Sequence, residues 1–136
     1  TRYWLDLDSA IDLVIHGLYN CLGQEIFVPK LKSFKLVDLA TAVNPSAEQT
    51  VVGIRPGEKI HETLVSFEEA KHTLETKDAF IVLPGARMDS YQQQLDSVGI
   101  ISKRLPDGFI FASDNNTQWL DVEQLRRKLG PSPDYM

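Results

Sequence analysis

The chain has 136 residues, of which 43% are hydrophobic and 24% are charged, and its formal net charge at pH 7 is −5. This length and composition are typical of one globular domain, and the negative charge disfavours general nucleic-acid binding. The sequence has no run of about 18 apolar residues, so no membrane-spanning segment is predicted in it. The single cysteine, Cys21, is expected to pack in the core, and one cysteine without a partner is typical of a reducing, cytoplasmic compartment.

The N-terminal part predicts a strand, a helix and a second strand. Residues 1–5 form the first strand, and because the chain opens inside this element without Met, we expect it to be a segment of a longer protein. Asp6 or Asp8 is expected to cap the helix that follows, and Gly23 to end it. Residues 25–29 predict the second strand, which a proline stops. Apolar residues at helical spacing predict one buried face on the helix, formed by Ile11, Val14, Ile15, Leu18 and Leu22.

The middle of the chain continues the alternation of helices and strands. A short helix is predicted over residues 36–43, closed by an Asn-Pro pair, and a strand is predicted over residues 50–54. A capping box at residues 66–69 opens a further helical turn. Residues 79–83 give a strong strand signal.

The C-terminal part begins with residues 84–108, whose prolines and glycines predict a loop with one helix near residues 90–95. Residues 109–111 predict another strand. A second capping box at residues 121–124 starts a terminal helix. The inward positions of this helix are predicted to be Val122, Leu125 and Leu129, and its end is predicted at Gly130-Pro131.

Short strands alternating with helices predict the α/β fold class, as a small domain with a modest mixed sheet. We expect residues 1–130 to form this domain and residues 131–136 to form a tail.

The strand predicted at residues 50–54 runs directly into Arg55, Pro56 and Gly57. Pro56 presets one backbone dihedral and Gly57 permits a positive one, so a sharp turn is predicted after the strand. A guanidinium held at such a corner suits two-pronged binding of a phosphate or carboxylate. The alternative is an ordinary surface turn whose charged side chains are solvated.

A second polar constellation occupies residues 113–119 and ends in Trp119. Its amides are suited to hydrogen-bonding a sugar or a uracil edge, and the indole is suited to packing on a ring. The alternative is an ordinary polar turn with Trp119 packed in the core.

Several catalytic and cofactor-binding signatures are missing from the sequence. It has no glycine-rich dinucleotide loop, no P-loop, no Gly-x-Ser-x-Gly elbow and no Tyr-x-x-x-Lys pair. His16, His61 and His72 lack Cys or His neighbours at metal-ligand spacing, and His61 is expected to be a packed or solvated helix residue. The residues therefore predict neither a metal site nor a self-sufficient catalytic apparatus.

Four motifs, taken in order along the chain, give it a resemblance to a known family. They are TRYW at residues 1–4, GQEIFVPK at 23–30, IRPGEKIHE at 54–62 and NNTQWL at 115–120. Together they resemble the C-terminal part of inverting UDP-N-acetylglucosamine 4,6-dehydratases. That family belongs to the extended short-chain dehydrogenase/reductase superfamily and acts in bacterial surface-polysaccharide biosynthesis. The resemblance covers nearly the whole chain and is weakest over residues 84–108.

The resemblance implies an NADP-dependent nucleotide-sugar lyase whose N-terminal Rossmann domain, absent from these 136 residues, binds NADP and supplies the catalytic groups. The family reaction oxidises C4, eliminates water across C5 and C6, and returns the hydride with inversion at C5. On this basis the isolated chain is expected to be inactive, and the full-length enzyme is expected to be a homo-oligomer acting on UDP-N-acetylglucosamine.

The resemblance also implies which residues of this segment meet the substrate. Arg55 corresponds to the arginine that contacts the substrate diphosphate. Four residues correspond to the segment beside the substrate, namely Thr117, Gln118, Trp119 and Leu120. No catalytic, cofactor-binding or metal-binding residue is expected in this chain itself.

Two other interpretations remain open at the level of sequence. The first is a free-standing, non-catalytic domain that binds an anionic ligand or a protein partner. The second, within the family, is a capsule or O-antigen UDP-sugar dehydratase/epimerase, which the Ile-Arg-Pro form at residues 54–56 disfavours. Val37 stands where relatives often have a helix-capping threonine, and this departure concerns the cap of the helix at residues 36–43.

Overall fold

The computed structural model describes residues 1–130, except for the side chain of Ala86. The tail predicted at residues 131–136 lies outside the described residues. Among the helices of residues 1–130, each is too short or too polar to cross a membrane.

The chain folds as two compact units, each assembled from separate stretches of sequence. The first unit consists of residues 1–4, 31–62 and 113–130. The second unit consists of residues 5–30 and 63–112.

Residues 1–130 contain eight strands and five α-helices, with one 3-10 turn at Gly85–Arg87. The strands are β1 Arg2–Trp4, β2 Ile26–Pro29, β3 Lys32–Phe34, β4 Thr63–Val65, β5 Thr73–Glu75, β6 Ala79–Val82, β7 Lys103–Arg104 and β8 Phe111–Ala112. The helices are α1 Leu7–Asn20, α2 Leu36–Val43, α3 Phe67–Ala70, α4 Met88–Ser97 and α5 Val122–Leu129.

In the first unit, β1 and β3 form a two-stranded antiparallel sheet in which Tyr3 lies opposite Ser33. An isolated parallel bridge joins Ser33 to Trp119. Helices α2 and α5 pack against each other. The buried core of this unit consists of Phe34, Ala42, Leu120 and Leu125.

In the second unit, a four-stranded antiparallel sheet has the order β2-β6-β5-β7, and β4 pairs separately with β8. Helix α4 contacts β5. One buried cluster of this unit consists of Leu74, Ile81, Leu83, Met88 and Tyr91.

The α/β class is confirmed, although the strands form several small antiparallel sheets in place of one mixed sheet. The predicted helix starts are also confirmed, because Asp6 caps α1 and capping boxes begin at Ser66 and Asp121. Such caps depend on residues three apart in sequence, which is why they can be read without tertiary information. Helix α5 has Leu125 buried and ends at Leu129 as predicted, but Leu129 itself is exposed.

The strand predicted at residues 50–54 is wrong, because these residues form no regular secondary structure, are exposed and pair with no strand of residues 1–130. Val51 is 95% exposed and Val52 is 92% exposed. A β-branched run favours a strand only when a neighbouring strand can satisfy its backbone hydrogen bonds, and none of the eight strands of residues 1–130 pairs with this run.

The buried face predicted for α1 is also wrong, because no residue of this helix is buried. Val14 is 62% exposed and Leu18 is 78% exposed. Cys21, predicted as core, is exposed and caps the C-terminal end of the helix in place of Gly23. The periodicity correctly indicated an amphipathic helix, but periodicity does not show whether another element covers the apolar face.

Strands β3, β4, β5 and β7 were not predicted from sequence, and α4 is longer than the predicted 90–95 helix. These strands have only two or three residues each. The alternation of apolar and polar residues cannot be recognised over so few residues. Whether such a segment forms a strand therefore depends on the strand with which it pairs.

Candidate ligand-binding site

The turn predicted at Arg55 is confirmed. The Glu58 backbone N–H donates to the Arg55 carbonyl oxygen at 3.0 Å, and Gly57 has a φ of +81°. Proline followed by a glycine of positive φ is the arrangement of a type II turn. The Arg55 N–H also donates to Glu58 Oε2 at 3.2 Å, so Glu58 closes the turn through both its backbone and its side chain.

Arg55 is exposed, and its guanidinium makes no hydrogen bond or ion pair with any residue in 1–130. It does not lie at a strand end, since residues 50–54 form no strand. The backbone on one side of Arg55 is therefore held by a closed turn, while its charged group remains available to a ligand.

The segment after the turn is held by Arg2 of β1. Arg2 Nη1 donates to the Ile60 carbonyl at 3.0 Å and Nη2 donates to the Lys59 carbonyl at 2.9 Å. The same guanidinium forms ion pairs with Glu58 at 3.7 Å and with Glu62 at 3.5 Å. The sequence analysis gave Arg2 no role, because its partners in this segment lie 56 to 60 residues away and no local pattern connects them.

A second anchor joins this segment to the chain after β8. The buried Ser113 accepts the Glu62 N–H with its Oγ at 2.9 Å, and its own N–H donates to the Glu62 carbonyl at 2.8 Å. The Thr1 and Ser113 hydroxyls lie 2.6 Å apart, and Thr1 Oγ1 lies 2.8 Å from His61 Nδ1. His61 is therefore part of a polar network and not of the helix predicted for it, because residues 60–62 form no helix.

The polar loop before α5 is fixed by hydrogen bonds from its own amides. Asn116 Nδ2 donates to the Leu31 carbonyl at 2.7 Å and to Ser33 Oγ at 3.0 Å, while Asn116 Oδ1 accepts the Gln118 N–H at 3.1 Å. The Trp119 indole N–H donates to the Asn116 carbonyl at 2.6 Å. Asparagine closing such a turn explains why a polar segment without helix or strand is ordered here.

The four predicted substrate-side residues differ in exposure. Thr117 and Gln118 are exposed, Trp119 is half-buried, and Leu120 is buried in the core of the first unit. The backbone of this stretch is joined to β3, because Ser33 N–H donates to the Gln118 carbonyl and Leu120 N–H donates to the Ser33 carbonyl. The exposed hydroxyl of Thr117 and amide of Gln118 thus project from a fixed backbone.

The two polar constellations share the first unit, but no hydrogen bond or ion pair within residues 1–130 joins Arg55 directly to residues 117–120. They are connected through the β1–β3 sheet, since Arg2 on β1 holds the Arg55 segment and Ser33 on β3 holds the loop. This short sheet is the common support of the predicted site residues.

A separate apolar groove of about 780 Å³ lies wholly in the second unit. Its lining includes His16, Tyr19, Phe27, Tyr91, Leu95 and Ile101, and it contains none of the predicted site residues. Within residues 1–130, no group of three or more His, Cys, Asp or Glu side chains is placed to hold a metal ion.

Comparison with known proteins gives this geometry a family context. The family described as polysaccharide biosynthesis protein matches residues 1–84, which is more than half of the chain. Two Campylobacter jejuni proteins, each named UDP-N-acetylglucosamine 4,6-dehydratase (inverting), are 32% identical to it over 127 residues. These matches cover 92% of this chain and 38% of each relative, so the chain spans well under half the length of these relatives.

A solved structure is also similar. The X-ray structure of Pen from Bacillus thuringiensis superposes with a TM-score of 0.67 at 26% identity, covering 93% of this chain and 36% of that one. The resemblance read from the four motifs is thereby confirmed. The chain belongs to the polysaccharide biosynthesis protein family, with inverting UDP-N-acetylglucosamine 4,6-dehydratases among its relatives.

Proposed function

We propose that this chain is the substrate-binding portion of an NADP-dependent, C5-inverting UDP-N-acetylglucosamine 4,6-dehydratase of bacterial surface-sugar biosynthesis. In this proposal Arg55 clamps the UDP diphosphate. One structural observation carries it: the Arg55 guanidinium is exposed beside a closed turn and unpaired within residues 1–130. The proposed nucleotide-sugar and reaction are those in the names of the two Campylobacter jejuni relatives.

The chemistry of the site suits a nucleoside diphosphate. A charge-assisted contact between a guanidinium and a phosphate contributes about 1.5–3 kcal/mol. Thr117 and Gln118 offer an exposed hydroxyl and amide to the uracil or the sugar. Trp119 already uses its indole N–H internally, so its ring face is what remains for a ligand. Leu120 supports the loop from the core side.

The residues of this chain do not fit an NADP site. Its eight glycines include no Gly-x-Gly-x-x-Gly spacing, and the named strands of residues 1–130 pair antiparallel, whereas a dinucleotide fold needs parallel strands joined through helices. No catalytic step is therefore assigned to the residues of this chain. In the proposed enzyme, NADP and the catalytic groups belong to a Rossmann domain elsewhere in the longer protein, and the isolated chain is inactive.

We also propose the domain role, the compartment and the partners of this portion. Residues 1–130 are the substrate-binding domain of a cytoplasmic lyase. Its partners are UDP-N-acetylglucosamine, its own Rossmann domain and further copies of the enzyme in a homo-oligomer.

Calorimetric titration of the full-length protein with UDP and with uridine tests the proposal. If the diphosphate is the recognised group, UDP binds at least about tenfold more tightly than uridine, a difference of about 1.4 kcal/mol. Inorganic pyrophosphate should compete with UDP. Equal affinities for UDP and uridine would contradict the diphosphate clamp. Binding of pyrophosphate without any preference for UDP would favour a non-catalytic domain that binds anions.

A further inference from the structure

The segment from Arg55 to Glu62 has neither helix nor strand of its own, so its position depends on a few anchors. Arg2 is the anchor with the most contacts, because it binds two consecutive carbonyl oxygens and two carboxylates of this segment. Only about a quarter of its side chain is exposed, at 25%. A planar guanidinium with five donors can satisfy such a set of acceptors, whereas an ammonium cannot match its fork geometry.

The contacts of Arg2 also engage the carboxylate of Glu58, which lies in the same turn as Arg55. Glu58 lies three residues after Arg55 and is the nearest carboxylate to it in sequence. Its Oε2 accepts the Arg55 backbone N–H, and its Oε1 lies 3.7 Å from Arg2 Nη2. Because both oxygens of Glu58 are engaged in this way, the Arg55 guanidinium has no counter-ion among residues 1–130 and remains open to an external anion.

We propose that Arg2 is a positioning residue for anion binding by Arg55: it holds the turn through the Lys59 and Ile60 carbonyls and keeps the Glu58 carboxylate away from the Arg55 guanidinium. The inference rests on the proposed function, since the anion is the UDP diphosphate. Arg2 acts through Arg55 and makes no independent contribution to UDP binding.

The first test uses the full-length protein without ligand. Arg2→Lys keeps the charge but removes the fork, so hydrogen exchange over residues 55–62 should become at least about tenfold faster while the remaining segments are unchanged. Arg126→Lys is the matched control, because Arg126 pairs with Glu123 on the exposed side of α5 in the same unit. Unchanged exchange over residues 55–62 in Arg2→Lys would overturn the inference.

The second test is a double-mutant cycle on UDP affinity. Arg2→Lys should weaken UDP binding by about three- to tenfold, less than Arg55→Ala does, and should add nothing in the Arg55→Ala background. Additive losses would overturn the inference, because Arg2 would then contact the ligand by itself. If the unsubstituted protein does not bind UDP, it is the proposed function that fails, and the exchange measurement still decides whether Arg2 holds the turn.

Discussion

Two arginines of the first unit, Arg2 and Arg55, have the same side chain but different surroundings and therefore different roles. Arg2 is mostly buried and saturated with carbonyl and carboxylate partners, whereas Arg55 is exposed and its guanidinium is unpaired within residues 1–130. A guanidinium with this many partners contributes to structure, because it joins β1 to the carbonyl oxygens and carboxylates of a segment that has no helix or strand of its own. An unpaired one contributes little to folding and is available to a ligand.

This difference leads to a prediction for Arg55. Arg55→Ala in the full-length protein should weaken UDP binding by roughly ten- to more than a hundredfold, because it removes charge-assisted hydrogen bonds worth about 1.5–3 kcal/mol. Arg55→Lys should restore only part of the affinity, since an ammonium cannot make the two-pronged contact. The melting temperature should hardly change, because the side chain is exposed. Calorimetric titration and thermal unfolding measure the two effects.

Arg127→Ala is the matched control, because it removes the same charge from an exposed position on α5 in the same unit. Its UDP affinity should equal that of the unsubstituted protein. An Arg55→Ala protein that is folded and binds UDP with unchanged affinity would show that Arg55 is only a turn residue.

At the scale of elements, a buried carboxylate joins the end of α1 and the start of β2 to α4. Glu25 is 8% exposed, and its Oε1 accepts hydrogen bonds from the Leu22 N–H and, at 3.2 Å, from the Tyr91 hydroxyl. Nearby, Arg87 donates to the Gly23 carbonyl at 2.7 Å. Burial opposes ionisation of Glu25, but the hydrogen bonds that it accepts outweigh burial and lower its pKa.

The sign of this shift predicts a pH dependence. Because the pKa of Glu25 is lower in the folded state, its contribution to stability is present above the unfolded-state pKa of about 4.3 and is lost as pH falls through the folded-state pKa. Glu25→Gln should lower the free energy of unfolding by about 1–3 kcal/mol at pH 7, with a smaller difference below about pH 4.

Urea unfolding of the Glu25 variant between pH 7 and pH 3 measures this dependence. Glu123→Gln provides the control, because Glu123 is exposed and its side chain forms an ion pair with Arg126 on the surface of α5. Parallel stability-against-pH curves for Glu25→Gln and the unsubstituted protein would show that Glu25 does not carry the acid sensitivity.

At the scale of the whole molecule, the exposed apolar face of α1 is the main departure from a self-contained fold. Large side chains on this helix are strongly exposed, with Leu18 at 78% and Tyr19 at 83%. Single exposed apolar residues are ordinary, but a continuous apolar helix face indicates a surface used for packing. The chain spans only 38% of its dehydratase relatives, and in the proposed function a Rossmann domain covers such a surface.

We therefore expect the 136-residue chain on its own to self-associate and to bind a hydrophobic dye. Leu18→Lys should reduce both effects by placing a charge in the middle of this face. Ala40→Lys, which adds the same charge on an exposed position of α2, should change neither. Light scattering against concentration and dye fluorescence are the measurements. A strictly monomeric chain without dye binding would favour the free-standing domain.

The sequence alone determined those features whose causes are local. The Arg55 turn follows from a proline and a glycine in succession, and the starts of α1, α3 and α5 follow from capping residues within one helical turn. The family could also be read, because its four motifs lie in order along the chain. Arg55 and residues 117–120 entered as site candidates on that basis, and their roles in binding remain predictions.

The tertiary structure decided whatever depends on partners distant in sequence. A β-branched run at residues 50–54 has strand propensity but pairs with no strand of residues 1–130, so it remains irregular and exposed. The amphipathic α1 has the right period, but no element of the described part of the chain buries its apolar face, which is exposed. Arg2 became significant only when folding brought it to carbonyl oxygens nearly sixty residues away, because hydrogen bonds depend on distance in space and not on distance along the chain.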